Sequence, residues 1–254
     1  MSSIVQGSTH SPWQSYLQEA KCEALRMLRE PAFCLPVIGF PVLFYLLFGV
    51  LLDKGEGKAA QYLLATYGAF GVIGAGLFGF GVSIAVDREK GLLRLKRALP
   101  VPPGALLLAK MVMAMSFAAI ISLVLAVIAA TVAGVALEPS QWIRLFVIDV
   151  LGVLPFCAIG LYVGSLVGGN AAPALLNMLY LPMAFLSGLW LPLTILPDIL
   201  STIAPLWPAY HLGQLALKVV GFDMGQPVWV HVLVLAGITV LFFVLAQRRL
   251  SAAE

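Results

Sequence analysis

The side chains of this 254-residue chain that could carry catalysis are few and scattered. Asp149 lies within a long apolar stretch, five residues after Arg144, and a structural contact between the two, or with a helix end, is favoured over a proton relay. His211 and His231 share no metal-ligand spacing with a carboxylate. No nucleophile stands near a base at a spacing typical of covalent catalysis. The sequence therefore predicts no enzyme active site and no metal site.

The remaining residues that could carry chemistry are three cysteines and one segment rich in glycine and lysine. The three cysteines lack metal-ligand spacing and are interpreted as small packing residues. They are Cys22, Cys34 and Cys157. Residues 55–58 read Gly-Glu-Gly-Lys, but Ala59 replaces the Ser or Thr of a phosphate-binding loop and Leu52 replaces its first glycine. We therefore expect this chain to bind no ATP and no other cofactor by itself.

The elements that position these few residues must be helices in a membrane. Hydrophobic residues make up 61% of the chain and charged residues 11%, whereas soluble domains average about 45–50% and about 25%. A soluble globule of this size has no way to bury so much apolar surface. The net charge of +3 is interpreted as a topology signal, not as a nucleic-acid surface. We predict an all-α polytopic membrane protein with a single transmembrane domain, residues 1–254.

Six apolar stretches are long enough to cross a hydrocarbon core of ~30 Å, which takes about 20 residues. They are residues 32–52, 62–86, 105–136, 142–168, 171–193 and 227–246. Residues 194–222 are apolar but interrupted by prolines, which is typical of short helices that enter the membrane part-way and return. The sequence therefore predicts six transmembrane helices, with a re-entrant segment between the fifth and the sixth.

Lysine and arginine residues indicate the orientation, because they accumulate on the cytoplasmic side. Eleven lie in the N-terminal segment, the connection after the second span and the C-terminus, against four on the opposite side. Lys110, near the cytoplasmic end of the third span, is expected to extend to the interface. Both termini are therefore predicted to be cytoplasmic.

Residues 11–30 are predicted to form an amphipathic helix with a Ser11–Gln14 capping box. Its apolar face at 100° per residue consists of Trp13, Tyr16, Leu17, Ala20, Ala24, Met27 and Leu28. Its polar face consists of Gln18, Glu19, Arg26 and Arg29. The sequence favours a helix that rests in the headgroup layer, and a polar face that also contacts a cytoplasmic partner is the alternative.

Residues 87–99 hold the highest charge density, with seven charged residues among their first eleven. A solvated cytoplasmic loop explains these charges. It does not explain Leu92, Leu95 and Leu99, which stand at helical spacing. Because an amphipathic helix with an apolar ridge suits a protein groove, docking of a cytoplasmic partner is favoured.

Two spans carry ladders of small residues that let helix backbones approach closely in lipid. The ladders are Gly71, Ala75, Gly79 and Ser83 in the second span and Gly160, Gly164 and Gly168 in the fourth. Helix packing is favoured over a ligand role, and both packing within one chain and packing between chains stay open.

The fifth span is interrupted by Pro182 and by the pair Ser187-Gly188. A broken helix of this kind forms either a pathway wall or a packing kink, and both interpretations stay open. The residues that would line a pathway are Asn177, Tyr180, Phe185, Ser187 and Trp190. Their rings suit a hydrophobic or amphiphilic cargo, although aromatic residues also anchor helices at the interface.

In this order, these features resemble the type 2 ABC exporter permeases, the membrane subunits of bacterial drug, natural-product, lipid and polysaccharide exporters. The resemblance rests on the entry helix, the sequence Asp87-Arg88-Glu89-Lys90-Gly91-Leu92 with Leu95 and Pro100, the span 177–192, and residues 193–211. Leu92 departs from the family, where many members have a small hydroxyl residue after the glycine. Because of this departure, the segment does not assign the chain to a subfamily.

The resemblance implies a permease subunit of the bacterial inner membrane, not an enzyme, that exports its substrate by alternating access. Two such chains, a homodimer rather than a heterodimer, would surround the path between their second and fifth spans, with 194–222 as an outer gate. Each would sit above a cytoplasmic ABC ATPase that holds ATP and Mg. The ATPase contacts would fall on Arg88, Glu89, Lys90, Gly91, Leu92, Arg94 and Leu95, and the interface helix would use Trp13, Leu17, Arg26 and Arg29.

A stand-alone secondary transporter or channel is the alternative from another class. Proteins of that class carry intramembrane carboxylates or a filter of charged residues. Only Asp149 is available here, so this alternative ranks lower. A polysaccharide or lipid exporter permease is the alternative within the family.

Overall fold

The computed structural model describes residues 12–52, 57–92, 95 and 105–252, and all regular structure within these ranges is helical. The side chains of residues 12–16, 105, 251 and 252 lie outside the description. The predictions for Ser11, Arg94 and Leu99 also fall outside the described residues.

The helices follow one another as α1 (Pro12–Leu28), α2 (Pro31–Phe44), α3 (Lys58–Glu89), α4 (Ala105–Thr131), α5 (Pro139–Gly152), α6 (Leu154–Leu166), α7 (Ala172–Leu186), α8 (Asp198–Ile203), α9 (Pro208–Val220) and α10 (Val228–Ala252). A π-helix, Tyr45–Leu51, extends α2, and 3-10 turns at Leu193–Ile195 and Ala204–Leu206 flank α8.

Prolines determine several helix boundaries. Pro31, Pro139 and Pro208 each stand in the first turn of a helix, where a missing N–H costs nothing. Pro155 divides the predicted fourth span into α5 and α6, because it has no N–H for the carbonyl four residues earlier. Glu138 and Gln141 form the capping box that opens α5.

Five segments of the described chain are long and apolar enough to cross a membrane. They are Pro31–Leu51, Lys58–Glu89, Leu106–Thr131, Pro139–Leu166 and Val228–Leu250. These correspond to the predicted spans one to four and six. At the predicted fifth span, α7 has 15 residues, about 22 Å at 1.5 Å per residue. This is shorter than the hydrocarbon core, because the chain turns at Gly188 (φ +76°). A crossing by the predicted fifth span, residues 171–193, therefore stays a prediction, as does membrane re-entry by 194–222, which consists of short helices.

α3 is the central element and packs against α2, α4, α6, α7 and α9. Its contact with α6 is backbone to backbone: a Cβ on Gly160 would lie 2.8 Å from the Leu77 carbonyl oxygen, and one on Gly164 would collide with that of Gly81. On another side of α3, Gly71 faces Pro41. The structure thus places members of both ladders against helices of the same chain.

The bundle has two ends. The basic end comprises α1, the last turn of α3, the start of α4 and the α6–α7 connection, residues 167–171. The far end comprises residues 187–227 with the first turns of α3, α5 and α10.

Candidate functional site

A cavity of about 750 Å³ lies between α1, α2, α3 and α7. Its charged lining residues are at the basic end: Arg26, Glu30 and Lys90. The rest of its lining is mainly apolar, and its aromatic members are Phe33, Phe40, Phe44, Phe70, Phe78, Tyr180 and Trp190. The cavity is therefore amphipathic along its length.

Contacts between rings fix the aromatic wall. Tyr180 stacks on Phe70 with the ring centres 4.8 Å apart, and its hydroxyl donates to the Phe70 carbonyl oxygen at 2.9 Å. Trp190 meets Phe70 and Phe44 edge to face, at 5.8 and 6.2 Å. These contacts hold α7 and the turn after it against α3.

Three of the five predicted path residues line this cavity: Asn177, Tyr180 and Trp190. Phe185 and Ser187 do not. The Phe185 ring packs against Trp190 at 6.3 Å, and the buried Ser187 hydroxyl has no hydrogen-bond partner among the described residues. The sequence prediction did not include the rings from the first two spans, although Phe40 and Phe44 show helical spacing.

A buried charge cluster joins α1, α3 and α4 at the basic end. We define it as Glu23, Arg26, Asp87 and Lys110, two acids and two bases. Lys110 is 0% exposed; its ammonium pairs with Glu23, lies 2.9 Å from Asp87, and donates to Ser83 at 3.0 Å. Arg26 donates to Asp87 at 3.1 Å. Each buried charge thus has a counter-charge, which buried ions require.

The expectation that Lys110 extends to the interface is wrong. Its ammonium is held inside by two carboxylates, one 87 residues earlier in the chain. Arg26 lies at the edge of the cluster, where its side chain is partly exposed and pairs with Asp87. Burial favours its neutral form, but Asp87 and Glu23 hold the pKa of Arg26 above its ordinary value.

The predicted coupling segment, 87–99, is attached to the bundle by its first three side chains. Asp87 belongs to the charge cluster. Arg88 donates to the carbonyl oxygens of Ser165 and of Val167, the latter at 2.8 Å, and so caps the end of α6. Glu89 accepts the Gly169 N–H at 2.6 Å. These side chains thus tie the segment to α1, α4 and the α6–α7 connection.

The rest of the segment is partly or largely exposed where it is described. Lys90 is exposed and Leu92 half-buried. Gly91 adopts a φ of +70°, which ends α3 in the left-handed conformation that glycine favours. Leu95 is 60% exposed, as a docking ridge requires.

α1 packs against α4 and α2. Of the predicted apolar face, Met27 is buried and Ala24 packs on the core, whereas Leu17 is 70% exposed. Of the predicted polar face, Arg29 is exposed. The side chain of Trp13 lies outside the described residues. The helix therefore presents one side to the protein and another to its surroundings.

At the far end, most of the described side-chain contacts join uncharged groups. His211 is 3% and His231 1% exposed. Nε2–H of His211 donates to the Pro205 carbonyl oxygen at 3.0 Å, so its Nδ1 accepts from Nδ1–H of His231 at 2.9 Å. Burial lowers the pKa of His211. A hydrogen bond from Lys218, at 2.7 Å, lowers the pKa of Asp223.

The predicted contact between Asp149 and Arg144 is wrong. Asp149 accepts a hydrogen bond from Ser122 on α4 at 2.7 Å, and Arg144 is exposed. Five residues separate the two positions, which puts them on different faces of α5.

Two comparisons with known proteins bear on this arrangement. Residues 17–221 match the model of a family described as "ABC-2 type transporter". The chain is also similar to "Putative transport permease YvfS" of Bacillus subtilis (strain 168), with 28% identity over 235 residues. That alignment covers 91% of this chain and 94% of the relative.

Proposed function

Because this chain belongs to the ABC-2 type transporter family, we propose that it is the membrane subunit of an ATP-driven exporter. ATP and Mg would be held by a separate cytoplasmic ABC ATPase. The chain would move an amphiphilic substrate from the cytoplasm or inner leaflet outward by alternating access. The amphipathic cavity is the observation that carries this proposal.

The cavity suits an amphiphile because its two parts offer different chemistry. Arg26 and Lys90 offer cations, beside the acidic Glu30, to a polar headgroup at the basic end. The ring of Tyr180 and its aromatic neighbours offer apolar surface to a tail. A molecule that lies in the inner leaflet already has this orientation when the basic end is cytoplasmic.

The attachment of residues 87–89 supports a route for energy from the ATPase to this cavity. Residues 90–95 would dock on the ATPase with Leu95 as an anchor. A displacement of this segment reaches α1 through Asp87 and the α6–α7 connection through Arg88 and Glu89. Both of those elements line the cavity or lead into its lining.

Two copies of the chain, each with an ATPase subunit, would form the complete exporter of the bacterial inner membrane. The orientation follows the distribution of lysine and arginine, so both termini would be cytoplasmic. A homodimer is the simpler assembly, since one gene product then supplies both halves.

Thiol accessibility tests alternating access without knowledge of the cargo. Asn177→Cys places a thiol in the cavity, and Met178→Cys places one on the adjacent, 77% exposed position. Both are made with the three native cysteines changed to alanine, in the complex with its ATPase in inside-out vesicles. ATP with vanadate should lower labelling of the Asn177→Cys thiol by an impermeant maleimide and leave the Met178→Cys thiol unchanged.

Equal labelling of the Asn177→Cys thiol with and without nucleotide would contradict the proposal. A parallel change at both positions would do the same, because it would indicate a general rearrangement.

A bulky side chain in the cavity tests the path in another way. Val82→Trp, inside the cavity, should reduce ATP-driven transport at least about tenfold, whereas Val240→Trp on the exposed face of α10 should not.

A further inference from the structure

The basic end of the cavity has two charged side chains that the charge cluster does not use. Within the cluster, two acids balance two bases, and Lys110 and Arg26 pair with Asp87 at 2.9 and 3.1 Å. The other charged residues of the lining are Glu30 and Lys90, which have opposite signs. Neither forms an ion pair with any other residue that the structure describes. Both charges are therefore available to a ligand.

These two residues lie on separate elements, at helix ends that suit their charges. Glu30 is the N-cap residue of α2, and its side chain makes no capping hydrogen bond. The positive end of the α2 dipole stabilises a carboxylate at this position. Lys90 is the C-cap residue of α3, where the negative end of the helix dipole stabilises an ammonium. The cavity thus presents an acid from one wall and a base from another.

Arg26 adds hydrogen-bond donors at the same end of the cavity. One of its guanidinium nitrogens donates to Asp87, and its side chain is 43% exposed. A guanidinium has five N–H groups, so others stay available for an anionic group. Asp87 also pairs with Lys110, and it therefore keeps a counter-charge when a ligand binds to Arg26.

We propose that the exported amphiphile has a zwitterionic headgroup. Its acidic group would bind Lys90 and Arg26, and its ammonium group would bind Glu30. Such charge-assisted hydrogen bonds are the strong ones. A headgroup with an acid alone would bring a like charge towards Glu30, and one with an amine alone would do so towards Lys90. The inference rests on the proposed function of this cavity as the export path.

The apolar part of the cavity favours a single tail. Its volume of about 750 Å³ falls within the range of about 300–1,000 Å³ that is typical of sites for drug-sized ligands. The ring of Tyr180 stacks on Phe70 at 4.8 Å and meets Phe78 edge to face at 5.6 Å, which makes one continuous apolar surface. The cargo is therefore a small zwitterionic amphiphile, and a two-chain membrane lipid with the same headgroup is the other source that the test distinguishes.

Equilibrium binding to the full chain in dodecyl maltoside micelles tests the proposal, because that detergent is uncharged and the measurement needs no ATPase. The probes share one unsaturated tail. Lysophosphatidylethanolamine has both charges, lysophosphatidic acid lacks the ammonium, and oleylamine lacks the phosphate. We expect the zwitterion to bind at least about tenfold more tightly than either of the others. Dioleoylphosphatidylethanolamine should displace it weakly, and displacement at equal affinity would overturn the single-tail assignment in favour of a membrane lipid.

Two substitutions should change these preferences in a crossed pattern. Glu30→Gln should remove most of the preference over lysophosphatidic acid and keep the preference over oleylamine. Lys90→Gln should remove most of the preference over oleylamine and keep the other. A general folding defect would not produce this pattern. Lys21→Gln and Asp198→Asn, at exposed positions outside the lining, should change neither preference.

Equal affinities for the three probes, or the same change of preference in both variants, would overturn the headgroup assignment. Val82→Trp fills the cavity and should abolish the binding of all three probes. Equal affinities that are still lost in Val82→Trp would overturn the headgroup assignment alone and leave the export path standing. Binding that survives in Val82→Trp would contradict both, because the probes would then bind outside the cavity.

Discussion

The two ends of the bundle are held together by different chemistry. At the basic end, three helices meet around the buried ions of the charge cluster, with Lys110 between Glu23 and Asp87. At the far end, α9 meets α10 through the neutral pair His211–His231, and glutamine amides of α3 and α5 donate to carbonyls at the end of α9.

The two kinds of contact differ in how much free energy their separation costs. Separation of a buried ion cluster leaves charges without partners, whereas neutral hydrogen bonds exchange with water at little net cost. The basic end should therefore transmit a displacement, and the far end should be the part that opens. The proposed exporter needs both properties, because it would receive force from the ATPase at the basic end and release its substrate at the far end.

The largest expected effect is removal of the central cation. Lys110→Met leaves Glu23 and Asp87 buried with Arg26 as their remaining counter-charge, and we expect a loss of about 3–5 kcal/mol in the free energy of unfolding. The measurement is an unfolding titration with denaturing detergent, followed by circular dichroism. Lys58→Met, at an exposed position, is the matched control and should cost little. Equal stability of the two variants would contradict the account.

Glycine substitutions test a second contrast, between helix contacts against a backbone and helix contacts against a side chain. At Gly164 a Cβ would meet the backbone of α3, which has little room to move, so Gly164→Ala should cost about 1–3 kcal/mol. At Gly152 the neighbour is the flexible side chain of Leu212, and the cost should be smaller. Gly237→Ala, whose Cβ would have no atom of the described residues within 4 Å, should be neutral or stabilising. A larger loss for Gly152→Ala than for Gly164→Ala in the same titration would remove the contrast.

Acid should loosen the far end alone. Because burial lowers the pKa of His211, the unfolded chain binds the proton more tightly, and stability is lost as the pH falls below the ordinary value of 6.5. A doubly protonated pair with His231 also loses its hydrogen bond. Tyr210 packs against both rings, and Lys218 and Asp223 act on His231 through their charges.

Amide hydrogen exchange checks this prediction. After correction for the intrinsic pH dependence, exchange in α9 should increase several-fold between about pH 7.5 and about pH 5, with α1 unchanged. His211→Gln should reduce the difference between the two pH values, because it removes the group whose pKa burial lowers. An equal increase at both ends would show that acid does not act through the histidine pair.

Much of the fold follows from the sequence because apolar length is a local property. The segments Pro31–Leu51 and Val228–Leu250 correspond closely to predicted spans. The short α7 does not, because the turn at Gly188 ends it before a full crossing, and nothing in its hydropathy indicates that.

The candidate site was predictable in part. Tyr180 and Trp190 stood out beside helix breaks, whereas Phe70 lies in a uniformly apolar helix where no contrast marks the side facing a cavity. The charge cluster depends on a contact between residues 23 and 110, and no local pattern in the sequence indicates a pair so far apart.

The coupling segment would transmit force through its attachment to the bundle, and a change at Arg88 interrupts that attachment. Its described hydrogen bonds go to the carbonyl oxygens of Ser165 and Val167, and it does not line the cavity. The measurement is the number of substrate molecules transported per ATP hydrolysed, by the complex with its ATPase. We expect the Arg88→Gln complex to assemble and hydrolyse ATP but to transport several-fold less substrate per ATP, whereas the exposed control Arg144→Gln should retain the normal ratio. An unchanged ratio in Arg88→Gln, or a loss of assembly instead, would contradict it.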